Sequence, residues 1–251
     1  MASLSNRCAL ITGAGSGMGR SHALLFAERG ARVIVHDVDA DGVAETVDGV
    51  RARGATVATI VQDIRDTAAF SAAIATAEKA IGPVDILVNN AGVSGRNLAF
   101  EDIDEEAFDR VFAVHVKGTF FAVQAVIPGM KQRRYGRIIN ISSTFGVAGG
   151  QRASHYGGAK AALLGFTKSW AREYAAFNIT VNAVAPGFIL TPMTRASNGA
   201  PERLAQRITR IPIGRYGEPV DISYAVAWLA SDEASFVTGQ VLSPNGGEYI
   251  T

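Results

Sequence analysis

The stretch CALITGAGSGMG, residues 8–19, joins a short apolar run to a turn that contains four glycines. The run CALIT has the continuous apolar character of a strand that is covered on both faces of a sheet. Glycines let the backbone approach a pyrophosphate closely, and a helix that begins there offers it free N–H groups and a partial positive charge. The spacing of Gly13, Gly17 and Gly19 is Gly-x-x-x-Gly-x-Gly rather than Gly-x-Gly-x-x-Gly, and no lysine follows where a Walker loop needs one. The stretch therefore predicts a strand, a dinucleotide-binding turn and a helix.

Similar apolar runs alternate with helical patterns along the rest of the chain. The runs predicted as further strands are 32–37, 56–63, 85–90, 137–142, 180–186 and 240–245, and helices are predicted over 17–29 and 67–81. Strands separated by crossover helices indicate right-handed βαβ units and a parallel sheet. No linker or repeat interrupts the pattern, so we expect a single α/β domain over residues 1–251.

The irregular stretch 188–212 follows a predicted strand. Ligands of open α/β sheets bind beyond the carboxyl ends of the strands, so this stretch is predicted to form a lid over the substrate. An additional surface helix without that role is the alternative.

The overall composition limits the classes of function. With a net charge of +1 among 251 residues, the chain has no basic surplus that would favour nucleic acid as its main partner. The cluster KQRRYGR, residues 131–137, is interpreted as a solvated helix end. A single cysteine, Cys8, excludes an internal disulfide and fits a reducing compartment. Neither a signal peptide nor an apolar run of about 18 residues is apparent, so we expect a cytoplasmic protein without a membrane partner.

An acidic residue ends the second predicted strand. Asp37 lies eighteen residues after Gly19, where a carboxylate can accept both hydrogen bonds of an adenosine ribose diol and repel a 2′-phosphate. This predicts NAD rather than NADP, although a carboxylate that caps the next segment is the alternative. Asp63, which closes the third run, is expected at the adenine, and residues 89–92 are expected along the cofactor.

Tyr156 and Lys160 are one helical turn apart in SHYGGAK, and Ser143 lies thirteen residues before the tyrosine. A phenol has a pKa near 10 and is a poor proton carrier at neutral pH. An ammonium group on the same helical face can lower that pKa, and a hydroxyl beside the pair can hold a substrate carbonyl. Combined with a dinucleotide site, these three residues predict a hydride-transferring enzyme.

Six motifs, in order along essentially the whole chain, resemble those of the short-chain dehydrogenase/reductase family, in its branch of about 250 residues. They are Thr12-Gly13 with Gly17-x-Gly19, Asp63, Asn89-Asn90-Ala91-Gly92, Ser143, Tyr156-x-x-x-Lys160 and Pro186-Gly187-x-Ile189-x-Thr191. The resemblance implies a doubly wound, seven-stranded parallel sheet (Rossmann-like) with helices on both faces and a nicotinamide cofactor along its carboxyl edge. It also implies a homo-oligomer, with a homotetramer expected here.

The resemblance further implies roles for individual residues. Tyr156 would be the general acid/base, Lys160 would bind the nicotinamide ribose and lower the tyrosine pKa, and Ser143 would orient the carbonyl. The residues expected to bind the cofactor are Gly13, Ser16, Gly17, Met18, Gly19, Asp37, Asp63, Ile64, Asn90, Ala91, Gly92, Tyr156, Lys160, Pro186, Gly187, Ile189 and Thr191. No metal site is expected.

One position departs from the family pattern. In VFAVHVKGTFF, His115 occupies the place where the family has an asparagine that helps to hold a lysine-bound water. His115 is therefore a fourth candidate catalytic residue, and the usual four-residue proton relay is in doubt. An unperturbed imidazole titrates near pH 6.5, so a pH dependence of the rate between about 5.5 and 7.5 is expected if it takes part. The alternative is a histidine that only packs inside its helix.

We expect an NAD-dependent enzyme that interconverts a secondary alcohol and a ketone. Ser143, Phe145, Gln151 and Phe188 are the candidate substrate contacts, and Arg96, Arg152 and Arg195 are nearby arginines that can pair with an anionic group. A β-ketoacyl-carrier-protein reductase is the alternative enzyme. Arg134 fits one of the carrier-binding positions of such enzymes, but Phe177 occupies the other and Asp37 opposes NADPH. A non-catalytic NAD-binding protein is the alternative from another class.

Overall fold

The computed structural model describes residues 2–198 and 201–250, with the backbone only at residues 197–198 and 201–203. The described strands are β1 (Cys8–Thr12), β2 (Arg32–Asp37), β3 (Val57–Val61), β4 (Ile86–Asn89), β5 (Gly136–Ile141), β6 (Ile179–Val184) and β7 (Val241–Leu242). The described α-helices are α1 (Gly17–Glu28), α2 (Ala40–Arg51), α3 (Thr67–Ile81), α4 (Glu105–Phe112), α5 (Thr119–Arg133), α6 (Thr144–Ala148), α7 (Ser154–Tyr174), α8 (Pro192–Asn198), α9 (Pro201–Ile208) and α10 (Pro219–Ala230).

Within these residues the strands form one parallel sheet of seven strands in the order β3-β2-β1-β4-β5-β6-β7. The predicted doubly wound parallel architecture is confirmed. The strand order reverses between β1 and β4, so the connections that follow these two strands leave toward opposite faces. A crevice opens at such a point beyond the carboxyl ends of the strands, and ligands of doubly wound sheets bind there.

Alternate residues of each strand supply the two faces of the core. Ala9 and Ile11 of β1 pack on the face covered by α1, α2 and α10, whereas Cys8 and Leu10 pack on the face covered by α3, α5 and α7. Because both faces of the central strands are buried, the strands have the uninterrupted apolar runs seen in the sequence. Burial raises the pKa of the Cys8 thiol to about 12, so this cysteine is an unreactive core residue.

The bounds of β1 and β2 match the predicted ones, and the ends of the other strands differ from the predicted ones by one to three residues. β5 ends at Ile141, so Ser142 lies past the sheet, and β7 contains only Val241 and Leu242 of the predicted 240–245. Beyond the sheet, the chain continues through single hydrogen bonds, such as Ser142 N–H to the Val184 carbonyl at 2.7 Å and Gly187 N–H to the Pro244 carbonyl at 3.1 Å. Pro244 itself has no N–H to donate, which limits how far a strand can continue there.

A long helical segment runs from Glu105 to Arg133 through α4, a π-helical turn at Ala113–Gly118 and α5. By length and composition this is the one helix among the described residues that is apolar enough to cross a membrane, and half of the apolar stretch is buried within the protein. Val123, Val126 and Met130 pack against the sheet in the core, which accounts for its apolar side chains.

The basic cluster at 131–137 is not simply a solvated helix end, so that interpretation is wrong for its last member. Arg137 lies on β5 with its side chain only 2% exposed, and its guanidinium contacts Asp232 at 3.2 Å and lies 4.4 Å from the Tyr135 ring centroid. Arg7 lies 3.6 Å from the centroid of the same ring and also pairs with Asp232, at 3.1 Å. A buried cation needs such partners, and its carboxylate partner, Asp232, is 95 positions away in the chain.

Candidate active site

The glycine-rich turn connects β1 to α1 at the crevice between β1 and β4. Gly13 has a left-handed backbone (φ +66°), and a Cβ atom there would lie 2.7 Å from the Cα of Ala91. A Cβ atom on Gly19 would lie 2.0 Å from the Gly13 carbonyl oxygen, so no larger residue fits. Ser16 precedes α1 without capping it through its side chain, and the first turn contains no acidic residue. The helix N-terminus therefore stays open to an anion, as the pyrophosphate of a dinucleotide requires.

The segment after β4 is tied directly to this turn. The Asn90 side chain donates hydrogen bonds to the carbonyl oxygens of Thr12 (2.9 Å) and Gly13 (3.0 Å). The Thr12 hydroxyl in turn accepts the backbone N–H groups of Asn90 and Ala91, both at 3.0 Å. Asn89 differs from its neighbour, since its side chain is buried against Asn140 at 2.9 Å. Asn89 thus supports the strands, whereas residues 90–92 border the crevice.

Asp37 ends β2 beside the glycine-rich turn, where the adenosine ribose is expected. One carboxylate oxygen accepts the Gly15 N–H at 2.9 Å, and the other accepts those of Val38 (2.7 Å) and Asp39 (3.1 Å). These bonds fix the carboxylate beside the glycine-rich turn. Asp63 is engaged differently: its carboxylate pairs with Arg65 at 2.6 Å, which holds the pKa of Asp63 below its usual value.

Both ends of the predicted site share one cavity of about 390 Å³. Its lining includes residues from the glycine-rich turn, from the ends of β2, β3 and β4, and from α7. The predicted site residues among them are Gly13, Ser16, Gly17, Met18, Gly19, Asp37, Asp63, Ile64, Asn90, Ala91, Gly92, His115, Tyr156, Lys160 and Thr191. Its shape and open helix N-terminus fit an elongated anionic cofactor such as a nicotinamide dinucleotide. No cluster of metal-ligating side chains occurs among residues 2–198 and 201–250.

Tyr156 and Lys160 face the cavity from the first two turns of α7. The Lys160 ammonium lies 5.8 Å from the tyrosine ring centroid and donates a hydrogen bond to the Ile141 carbonyl at 2.7 Å. Ser143 does not line the cavity, but its hydroxyl hydrogen-bonds the Tyr156 phenol and accepts the Phe145 N–H at 3.2 Å. Ser142, the neighbouring residue, is instead buried and donates to the Lys160 carbonyl at 2.8 Å. The structure thus brings the predicted serine to the tyrosine.

Burial controls the protonation of this group. It raises the pKa of Tyr156, and the hydrogen bond from Ser143 opposes that rise. Burial also lowers the pKa of Lys160 to about 7. The expectation that the Lys160 charge sets a lowered tyrosine pKa is wrong for this geometry. The physical reason is that burial disfavours both charged forms, the ammonium as well as the phenolate.

His115 lies in the π-helical turn, with its ring edge-to-face against Tyr156 at a centroid distance of 5.4 Å. Its Nε2 lies 3.0 Å from the Val93 nitrogen and 2.9 Å from the Val93 oxygen, and its buried Nδ1 has no partner in the part of the chain described. Burial, followed by the nearby charge of Lys160, holds the pKa of His115 well below its usual value. The direction of this shift argues against the expected titration between pH 5.5 and 7.5, because burial favours the neutral ring.

Replacing His115 with asparagine is expected to leave the shape of the pH–rate profile between pH 5.5 and 7.5 unchanged. The reason is that burial favours the neutral form of the native ring, so the substitution removes no charged group. We expect kcat/KM to stay within about tenfold of wild type, since an amide can also bond the Val93 backbone. His115→Phe, which keeps a ring but no hydrogen bond, serves as the control and should melt at a lower temperature. A wild-type limb near pH 6.5 that vanishes in His115→Asn would contradict this.

Several predicted residues lie away from the cavity lining. Pro186, Gly187 and Ile189 follow β6 outside it, although Thr191 of the same motif reaches it. Phe145 approaches Tyr156 edge-to-face at 6.2 Å, and Gln151 is exposed in the turn after α6. The buried ring of Phe188 packs on Tyr216 at 5.2 Å, with the guanidinium of Arg207 4.3 Å from its centroid. The ring of Phe188 is therefore covered by side chains of the segment that follows it. Within the predicted lid, 188–212, Gly199 and Ala200 lie outside the described residues.

Three residues that the sequence did not single out also shape the site. Arg20 reaches back from α1 to donate to the Gly15 carbonyl and pairs with Glu45 at 2.8 Å, which holds the glycine-rich turn in place. Arg110 lines the cavity one turn before His115. His155 is buried and bonds the Gly95 backbone. Its position beside Tyr156 was visible in the sequence, but its partner was not.

Comparison with known proteins agrees with this architecture. A family model described as enoyl-(acyl carrier protein) reductase matches residues 13–248. The 3-oxoacyl-(acyl-carrier-protein) reductase of Thermotoga maritima is 40% identical over 248 residues, covering 98% of this chain and 99% of that protein. The (2S)-((R)-hydroxy(phenyl)methyl)succinyl-CoA dehydrogenase subunit BbsD of Thauera aromatica is 44% identical over 248 residues, 98% of each chain.

Solved structures show the same similarity. Levodione reductase superposes with a TM-score of 0.94 at 33% identity, covering 97% of this chain and 98% of that chain. A protein described as a 2-deoxy-D-gluconate 3-dehydrogenase of Agrobacterium tumefaciens, with bound NADP, superposes with a TM-score of 0.90 at 35% identity, covering 98% and 97%.

The fold, the cavity and these comparisons together define an oxidoreductase that uses a nicotinamide cofactor. The chain belongs to the short-chain dehydrogenase/reductase family.

Proposed function

We propose that this protein is an NAD-dependent oxidoreductase that interconverts a secondary alcohol and a ketone. The observation that carries the proposal is the single cavity that joins the open N-terminus of α1 to Tyr156 and Lys160. A dinucleotide that begins at the glycine-rich turn would extend toward the only part of this lining where a phenol and an ammonium group from one helix occur together. A proton carrier beside a nicotinamide is what alcohol oxidation and ketone reduction require.

In this proposal each of the three polar side chains near the reacting carbon has a separate task. Tyr156 transfers the proton between its phenol oxygen and the substrate oxygen. Ser143, already bonded to that phenol, holds the same substrate oxygen and stabilises the charge that develops on it. Lys160, one turn further along α7, holds the nicotinamide ribose. When bound, the cofactor supplies or accepts the hydride at its nicotinamide ring.

The preference for NAD is expected to reside in Asp37. We expect kcat/KM to be at least tenfold higher with NAD than with NADP, a difference of about 1.4 kcal/mol. The carboxylate, fixed beside Gly15, would bond the ribose diol and repel a 2′-phosphate, and the neighbouring Val38 is 68% exposed and brings no cation. Steady-state kinetics with both cofactors measure the ratio, and Asp37→Ser combined with Val38→Arg should narrow or reverse it.

Asp39→Ser is the matched control for this experiment. It removes a carboxylate two residues away that accepts the Asp41 N–H and caps α2, so the NAD/NADP ratio should stay near the wild-type value. Equal use of both cofactors by the wild-type enzyme would refute the role of Asp37. The NADP bound to the Agrobacterium relative makes this comparison informative, since at least one related chain binds the phosphorylated cofactor.

A 3-oxoacyl-carrier-protein reductase is a second candidate, favoured by the name of the Thermotoga maritima relative. Of the two positions at which such enzymes present arginines to the acidic carrier, only one holds an arginine in this chain. Arg134 is exposed, but its guanidinium donates to the Ala176 carbonyl at 2.9 Å, and Phe177 lies 4.7 Å beneath the Lys131 ammonium. A 3-oxoacyl thioester must therefore be included in any substrate panel.

A cofactor-coupled screen over hydroxy acids, polyols, cyclic alcohols and hydroxyacyl thioesters tests the proposal. Turnover of secondary alcohols with NAD supports the proposed function, whereas turnover of thioesters with NADPH supports the second candidate. NAD binding without turnover of any substrate would favour a non-catalytic NAD-binding protein.

We further propose that the whole chain forms one cytoplasmic domain and that four copies assemble as a homotetramer. The proposed interface lies across α5 and α7. Support for an interface comes from a surface of aromatic side chains on these helices. Phe120 is 37% exposed and Phe121 36% exposed, and Phe120 contacts Phe166 at a centroid distance of 5.6 Å. Exposed aromatic groups of this kind mark surfaces between proteins.

A further inference from the structure

The segment Val93–Asn97, which follows β4, is held over Tyr156 at three points. His115 bonds the backbone of Val93, and the His155 ring bonds the backbone of Gly95. At the far end, the Arg152 side chain donates from Nε to the Asn97 carbonyl at 3.3 Å. All three attachments come from other parts of the chain, from the π-helical turn and from the residues at the start of α7.

Gly95 brings this segment into contact with the proposed acid/base. A Cβ atom on Gly95 would lie 2.9 Å from the Cβ of Tyr156, so the backbone passes directly against the tyrosine. Arg96, Asn97 and Arg152 all have left-handed backbones, with φ of 59°, 52° and 56°. Non-glycine residues adopt this conformation only where surrounding contacts hold them in it.

The two arginines of this arrangement have no carboxylate partner among the described side chains. Both are exposed, and neither forms an ion pair with a carboxylate of residues 2–196 or 204–250. The first turn of α7, which begins two residues after Arg152, also contains no acidic residue. The positive end of this 21-residue helix therefore adds to the charge of the two guanidinium groups.

We propose that Arg96 and Arg152 select substrates that carry an anionic group, a carboxylate or a phosphate, on the side of the reacting carbon that faces the Val93–Asn97 segment. This inference rests on the proposed function and names the substrate class of the same site. Guanidinium groups bind carboxylate and phosphate oxygens through paired hydrogen bonds, and a tethered backbone reduces the ordering that binding requires. Because both arginines are exposed, each contributes only about three- to fivefold to kcat/KM, and the effect weakens with salt.

Matched substrates test this selection. 3-Hydroxybutyrate is compared with its methyl ester, and 3-oxobutanoyl-coenzyme A with the corresponding N-acetylcysteamine thioester, which lacks the phosphates. We expect the charged member of at least one pair to have a kcat/KM at least tenfold higher at low salt. The first pair reports on a carboxylate and the second on a phosphate, so the pair that responds identifies the source of the anion.

Variants assign the effect to the two guanidinium groups. Arg96→Gln combined with Arg152→Gln should remove the advantage of the charged substrate while the neutral partner keeps its kcat/KM. Arg152→Lys keeps the charge but loses the bond to Asn97, so it should retain most of the advantage. Arg172→Gln, an exposed arginine near the other end of α7, is the matched control and should change nothing. Thermal unfolding of each variant verifies that the fold is intact.

The outcomes separate this inference from the proposed function. Three results would overturn the inference and leave the proposed function standing. They are equal or better turnover of the neutral partners, turnover of neutral alcohols only, and a preference for the charged substrate that survives in the double variant. An equal loss in Arg152→Lys and Arg152→Gln would overturn the charge-pairing role of Arg152. If no alcohol or ketone is turned over with either cofactor, the proposed function itself fails.

Discussion

Replacing Tyr156 with phenylalanine is expected to lower turnover by about 10²–10⁴-fold, the range for lost acid–base catalysis, while the affinity for NAD stays nearly unchanged. The change removes only the phenol oxygen, which bonds Ser143 and is proposed to carry the transferred proton. The ring remains in contact with His115 and Phe145, and the glycine-rich turn and Asp37 are untouched. Turnover by steady-state assay and NAD affinity by fluorescence titration measure the two effects separately.

Tyr174→Phe is the control for this variant. Tyr174 is the last residue of the same helix, and its hydroxyl is far from the cavity lining, so both turnover and affinity should match the wild type. Retention of more than about a tenth of wild-type turnover in Tyr156→Phe would be incompatible with its role as the acid/base. The pKa of Tyr156 is raised by burial, so alcohol oxidation, which needs the phenolate, should accelerate as the pH rises.

Replacing Lys160 with methionine is expected to reduce both turnover and NAD affinity, each by more than tenfold. In the proposed mechanism Lys160 holds the cofactor ribose beside the reacting group. Its loss should therefore affect both readouts, unlike the loss of the Tyr156 oxygen. The exposed Lys168 on the same helix provides the control, since Lys168→Met should change neither quantity. Unchanged NAD affinity in Lys160→Met would remove Lys160 from the cofactor site.

The same variant is expected to melt at a higher temperature than the wild type. Lys160 is buried, with a single hydrogen bond to the Ile141 carbonyl, and its pKa is lowered from 10.5 to about 7. Between these two pH values the unfolded chain binds a proton that the folded protein releases, so the destabilisation is complete below pH 7 and decreases as the pH rises toward 10.5. The difference in melting temperature should thus be larger at pH 7 than at pH 9. An equal difference in melting temperature at pH 7 and pH 9 would show that the burial of Lys160 does not destabilise the folded protein.

Much of this protein follows from local patterns in the sequence. The run CALIT and the glycines after it predict β1, the turn and α1 to within a residue, because apolar periodicity and the special conformations of glycine are properties of short segments. The four-residue interval between Tyr156 and Lys160 places both on one helical face for the same reason. The position of Asp37 at the end of β2 follows from strand length and the chain direction in a parallel sheet.

Contacts between distant segments decided the rest. Arg137 belongs to a basic cluster in the sequence, yet it is a buried strand residue because Asp232, 95 positions away, pairs with its guanidinium. Phe188 follows a strand, where the sequence predicts a substrate contact, but Tyr216 and Arg207 cover its ring. The sequence alone suggests an ordinary imidazole pKa for His115, but burial and the nearby Lys160 lower that pKa in the folded chain.

The sequence by itself determined the fold class and the glycine-rich turn, and it singled out Tyr156 as the group that we propose to carry the proton. The tertiary structure decided the protonation of Tyr156, Lys160 and His115 and the attachment of the Val93–Asn97 segment over the tyrosine. The physical reason is that backbone conformation depends on neighbouring residues, whereas desolvation depends on every atom within a few ångströms. Those atoms come from separate segments of the chain, such as Val93 beside His115 and Ile141 beside Lys160, and only the folded chain brings them together.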